Sequence, residues 1–235
     1  MKTGNVKHVA AFGKLVGICN DLGASYNPSK AALTPTALAT LLEQAQQNLE
    51  AVNVARANLV LAINARQESY AGVYKLASRV VRAVASTESS RENIRDARLL
   101  RQQLMSKHAA KKIAASGEPS KILVSNSSSR LEYDGQADTF SRIINLMQGM
   151  TSYAPNEPDL KLVALKAVLS DLKMKSLTVA NAANMLVNAR ISRNKVLLGK
   201  EGMYETGTAV KEYIRSVFGV HSEPAKELGK LRLAA

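Results

Sequence analysis

Arg91, Arg95 and Arg98 stand four and three residues apart. On a helix they fall within about 60° of arc at 100° per residue. Three guanidiniums on one stripe suit a row of phosphates, and Arg101, Lys107, Lys111 and Lys112 extend the run. Two more clusters flank it. Residues 51–85 carry Arg56, Arg66, Lys75, Arg79 and Arg82 against Glu68 alone, and residues 161–200 carry Lys161, Lys166, Lys173, Lys175, Arg190, Arg193, Lys195 and Lys200 against Asp171 alone. Residues 201–235, with Arg215 among their cations, balance five against five. Gathered cations favour a long polyanion, held by phosphate contacts that give affinity without reading sequence. The residues predicted to carry that binding are Arg66, Arg79, Arg82, Arg91, Arg95, Arg98, Arg190, Arg193, Lys195, Lys200 and Arg215. Other readings compete. Glu88, Glu92 and Asp96 sit beside the stripe and neutralise part of it. Arg66 and Arg190 lie near an apolar seam, where packing is an alternative role. A charged helix face also serves solubility, protein docking or an anionic membrane surface.

Other chemistry finds no matching pattern. His8, His108 and His221 have no Cys or His neighbour at metal-ligand spacing, so no metal site is predicted. Cys19 falls on the apolar face of a helix, which reads as a buried structural thiol. Ser192 to Lys195 formally matches S-x-x-K, but its companion motifs are missing. No glycine-rich phosphate loop occurs. The acids are mostly scattered singly. No catalytic residue and no cofactor is nominated, and a non-enzymatic role is expected.

The elements that must position these cations come from a sequence that repeats itself. A first copy from Phe12 and a second from Phe140 align Leu15 with Ile143, Ile18 with Leu146, Cys19 with Met147, Tyr26 with Tyr153 and Pro28 with Pro155. Leu33, Leu38 and Leu42 then meet Leu160, Leu165 and Leu169. Further on, Asn64-Ala65-Arg66 matches Asn188-Ala189-Arg190, and Val81 to Val84 matches Ile214 to Val217. Aromatics, prolines and a tripeptide kept in order point to duplication.

Each copy reads as three helices. The opening helix is predicted over 6–22 and 138–150, and a Tyr-x-Pro turn closes it because the residue before proline avoids the helical region. A long helix follows, with Thr34 as N-cap and Pro35 at its first position. Its seam runs Leu38, Leu42, Ala45, Leu49, Val52, Leu59, Ile63 and Tyr70, and two members of that register, Arg56 and Arg66, are charged. The seam of the second copy runs Leu165, Leu169, Leu172, Val179, Ala183 and Leu186. Such spacing means packing against other helices. Third helices are predicted over 74–85 and 208–218, the latter after a glycine-containing loop at 199–207. Between the copies, 86–113 reads as an added helix capped by Ser86 or Thr87. The Ser- and Gly-rich stretch 114–137 reads as a loop, with one short extended piece at Ile122-Leu123-Val124 and exposure to proteases.

Composition agrees with this architecture. Forty-six per cent apolar and 22% charged residues is globular, and 13 Gly and 6 Pro are too few for many short strands joined by turns. One Cys excludes an internal disulfide and fits a reducing, cytoplasmic setting. Lys14 interrupts the apolar patch near the start, so that patch reads as an amphipathic helix and not as a signal peptide. No stretch reaches the roughly 20 apolar residues of a spanning helix, so no integral membrane association is expected. The net charge of +13 points to an anionic partner.

The phrases FGKLVGICNDLGASYNPS, Asn188-Ala189-Arg190 through NKVL, and YIRSVFG resemble an abundant bacterial family of two-repeat helical proteins without an assigned activity. The resemblance spans nearly the whole chain and implies the two-copy helical layout, with no activity, cofactor or site to carry over. The expected fold is therefore all-α: two duplicated three-helix modules in an elongated bundle, with 1–113 as first module plus added helix, 114–137 as connector and 138–235 as second module. The expected role is a binding or scaffold protein for an anionic partner, nucleic acid first. The alternatives are a structural subunit that self-assembles through its long helices, with a protein partner or homo-oligomer, and an accessory subunit of a nucleic-acid-processing enzyme.

Overall fold

The computed structural model describes residues 3–114 and 126–233, with side-chain surroundings for 4–104 and 133–233. Among the described residues there are eight α-helices and no strand. They are α1 (Thr3–Asp21), α2 (Pro35–Ala71), α3 (Val73–Ala85), α4 (Arg91–Ala114), α5 (Asn126–Gln148), α6 (Leu162–Leu198), α7 (Met203–Phe218) and α8 (Glu223–Lys230). No helix among them is long and apolar enough to cross a membrane.

The long helices α2 and α6 are each 37 residues, about 55 Å at 1.5 Å per residue. Their starts are built alike. Before α2 the chain makes a single 3₁₀ turn at Ala31–Leu33, and before α6 another at Pro158–Leu160. In each corner a buried tyrosine hydroxyl donates to the carbonyl seven residues on: Tyr26 to Leu33 and Tyr153 to Leu160, both at 2.7 Å. Thr34 caps α2 through its hydroxyl oxygen, which accepts the Ala37 N–H at 3.4 Å, and Pro35 takes the first position.

A 19-residue helix such as α1 reaches about half the length of α2. The two halves of each long helix are accordingly covered by different neighbours, and the chain divides into two compact units. The first unit comprises 1–59 and 182–235, and the second 60–181. Both boundaries fall inside the long helices, not in the 114–137 stretch that marks the divide between sequence copies. Each unit therefore combines the opening helix and first part of the long helix from one copy with the last part of the long helix and the third helix from the other.

The core of the first unit centres on Phe12, Leu15 and Cys19 of α1, fully buried with Leu38, Val210 and Ile214. Ala225 and Leu228 of α8 close it. The second unit packs Phe140, Ile143, Ile144 and Met147 of α5 with Val80, Val81 and Val84 of α3 and with Ala97 and Leu104 of α4, all of them buried. Cys19 and the Met147 aligned with it in the sequence are both fully buried.

Four expectations need correction. First, the stretch taken as a connector is helical from Asn126, because α5 starts there. Its serines and asparagine read as loop formers since their side chains compete for backbone hydrogen bonds. Tertiary packing overrides this where Tyr133, Ala137, Phe140 and Ile144 present one apolar face. The expected extended piece at 122–124 lies outside the described residues. Second, the added helix begins at Arg91, and Ser90 caps it by accepting the Asn93 N–H at 3.2 Å. Ser86 instead closes α3, its N–H bonding the Arg82 carbonyl, since a hydroxyl residue serves either helix end. Third, α7 begins at Met203, inside the expected loop. A tight turn at 199–202 delivers it. A Cβ at Gly199 would run into the Lys195 carbonyl oxygen, so only glycine fits there. Fourth, α8 was not expected. Ser222 caps it with Pro224 in its first turn, a start signal that is present in the sequence.

Candidate functional site

The charged members of the α2 seam mark two clefts, one in each unit. In the first unit Arg56 of α2 and Arg190 and Arg193 of α6 line a cleft of about 400 Å³, together with Asn5, Val6, Leu49, Val52 and Asn53. The floor follows from the seam: Val52 and Ala55 of α2 pack on Leu186 of α6, with Leu59 and Ala189 beside them. Arg190 lies one helical turn beyond Leu186, and Arg56 one turn beyond Val52, so both emerge at the edge of that contact. Arg193 is held in place. Its Nε and Nη2 donate to Asn194 Oδ1 at 3.2 and 2.8 Å. With its amide oxygen turned toward the guanidinium, Asn5 also accepts from Nε and Nη1 at 3.3 Å. Among the described residues no carboxylate lines the cleft and none of the three arginines makes an ion pair.

In the second unit Arg66, the aligned partner of Arg190, lines a cleft of about 530 Å³ with Tyr70, Lys173, Asp134 and Asp138. Its guanidinium sits over the Tyr133 ring, 4.2 Å from the centroid, and the residue is 4% exposed. Here two carboxylates share the lining, and an aromatic face covers the arginine. Arg66 was expected to reach a polyanion. The structure buries it instead: Tyr133 of α5 covers its guanidinium, whereas α1 brings Asn5 to the first unit's cleft.

The remaining nominated cations are distributed as follows. Arg79 pairs with Asp159, and Arg82, which makes no ion pair among the described residues, lies exposed along an open depression that Arg79 and Glu157 also line. The Arg79 hydrogen bond and charge hold the Asp159 carboxyl below its ordinary range. On α4 Arg91, Arg95 and Arg98 all face solvent, Ala97 and Leu104 being the buried positions. Arg95 leans toward Asp96 at 3.6 Å. Lys195 and Lys200 are exposed, and Arg215 pairs with Glu212 at 2.7 Å. The structure thus joins Arg190 and Arg193 in one cleft and adds Arg56, Asn5 and Asn53, which the nominated set omits. Arg56 had a signal: a charge on an apolar register. Asn5 and Asn53 had none, since a single amide on a helix carries no pattern.

Among the described residues no group of three His, Cys, Asp or Glu side chains is placed to share a metal ion. Cys19 is a buried free thiol, and burial pushes its pKa to about 11, which holds it protonated and unreactive. Ser192 and Lys195 both lie exposed on α6. No family model matches the chain, and neither a curated protein nor a solved structure matches it.

Proposed function

We propose that this is a non-enzymatic helical binding protein that engages an anionic partner, nucleic acid first, through exposed lysines and arginines. The observation that carries the reading is a group of cations without an ion pair among the described residues: the exposed Arg82 on α3, Arg91 and Arg98 on α4, Lys195 and Lys200 around the end of α6, and, in the first unit's cleft, Arg56 and Arg190 with the half-buried Arg193. Cations already answered by carboxylates, such as Arg79 and Arg215, are outside that set. The +13 charge adds a long-range attraction for a polyanion. Origin by duplication is part of the reading, supported by the matching tyrosine corners and by the equal long helices. So is a bacterial, cytoplasmic setting, which fits one buried free thiol.

The test is a mobility shift of generic duplex DNA and of RNA. Binding is expected at about 50 mM salt and should fall steeply toward about 200 mM as counterion release loses its advantage. Absence of any shift at the lower salt refutes the reading.

A second reading, a structural subunit that assembles through its long helices, has its own observation. Val163, Met174 and Leu177 of α6 are 81%, 57% and 60% exposed and fall within about 60° of arc. An apolar stripe of this kind is a usual contact between subunits. Light scattering that gives one chain per particle across a wide concentration range counts against it.

A further inference from the structure

We propose that the cleft of the first unit is a binding site for a phosphate dianion carried on an organic group. The source is either the terminal phosphomonoester of a nucleic acid strand or that of a small phosphorylated molecule. The inference rests on the polyanion reading for its ligand class and narrows it to one place.

Three guanidiniums line one cleft and no carboxylate joins them. Like charges brought together repel, and the repulsion is relieved when an anion enters. A carboxylate would leave two positive charges unanswered, whereas a phosphomonoester dianion answers two and offers three acceptor oxygens to planar forks suited to it. Arg193 is pre-positioned by Asn194 and Asn5, which lowers the ordering cost of binding. Leu49 and Val52 supply an apolar wall, which inorganic phosphate cannot use and a sugar or base can. The cleft volume of about 400 Å³ is within the range of small-molecule sites.

The other unit provides the comparison. Its cleft, lined by the aligned Arg66, holds Lys173 as well but carries Asp134 and Asp138. Two carboxylates thus share the lining with its two cations, Asp138 being also paired with Arg142 at 2.7 Å. The corresponding cleft thus has carboxylates in its lining in one unit and, among the described residues, none in the other.

Calorimetric titration of the full chain tests the assignment, with inorganic phosphate, ribose 5-phosphate, and a single strand with or without a 5′-phosphate as probes. Ribose 5-phosphate or the 5′-phosphorylated strand should bind at one site per chain and more tightly than inorganic phosphate. Arg190→Gln and Arg56→Gln should each weaken that binding about tenfold or more, with helical circular dichroism unchanged. Lys226→Gln on α8 removes the same charge elsewhere and should leave it intact. Preference for ribose 5-phosphate identifies a small-molecule source, and preference for the 5′-phosphorylated strand over its 5′-hydroxyl form identifies a strand end. Equal affinity of the Arg190→Gln and unaltered proteins overturns the proposal, as does equal weakening by Lys226→Gln. Salt-sensitive duplex binding that persists while no phosphomonoester binds removes the cleft alone. Phosphomonoester binding without any duplex shift removes the polyanion reading and leaves the cleft.

Discussion

Cys19, Tyr26, Tyr70 and Tyr153 are buried groups whose protons the fold retains. Burial raises the Cys19 pKa from its ordinary 9.0 to about 11, partly offset by a hydrogen bond with Tyr26. Tyr153 is pushed up to about 12, and Tyr26 and Tyr70 are raised, each chiefly by burial. A group with a higher pKa in the folded state contributes stability below its unfolded pKa and loses it as pH rises toward the folded value. These four groups should therefore leave stability unchanged up to about pH 9 and lower it from about pH 9 to 12, where the unfolded thiol and phenols ionise first. Denaturant midpoints across that range measure this, and equal midpoints near pH 8 and pH 11 would contradict it. Much of this was legible: Cys19 sits on an apolar helix face and aligns with Met147, so its burial follows from periodicity. The fate of Arg66 was not. It shares the tripeptide Asn-Ala-Arg with Arg190, yet it is covered by Tyr133 of α5, while Arg190 lines an open cleft with Asn5 of α1.

At the scale of elements, the corners before α2 and α6 carry the clearest prediction. Tyr26→Phe and Tyr153→Phe each remove one hydroxyl donor and leave a carbonyl in a buried corner without it. Each should cost about 1–3 kcal/mol. The two costs should be similar if the corners are copies, and thermal or denaturant unfolding of the two variants compares them. These corners could be read in advance because Tyr-x-Pro, the threonine cap and the apolar seam are local signals that agree with one another. The start of α5 could not. A run of serines has weak helix preference, and its helical state depends on partners distant in sequence, among them Tyr70, whose ring meets Tyr133 at 4.7 Å. The short α8 lacked a long periodic pattern, so its cap and proline were the only markers.

For the whole molecule, the telling fact is that each compact unit draws on both halves of the sequence. Either half by itself lacks part of the cover for its long helix. Phe140→Ala, at a fully buried position of the second unit, should cost about 3–5 kcal/mol. Because α2 and α6 each contribute to both units, the loss should also be felt at residues 35–59 and 182–198 of the first unit. Hydrogen exchange of those segments measures it, and protection there equal to that of the unaltered protein would show that the units unfold independently.

Helix content, the two long helices, their caps and corners, and the gathering of positive charge were determined by the sequence alone, because each is a property of neighbours along the chain. Tertiary structure alone decided where the compact units divide, which arginines are covered, and which cleft is left without a counter-charge. Those outcomes depend on side chains far apart along the chain, such as Arg66 with Tyr133 and Asn5 with Arg193, and no spacing along one helix records which partner will arrive to face it.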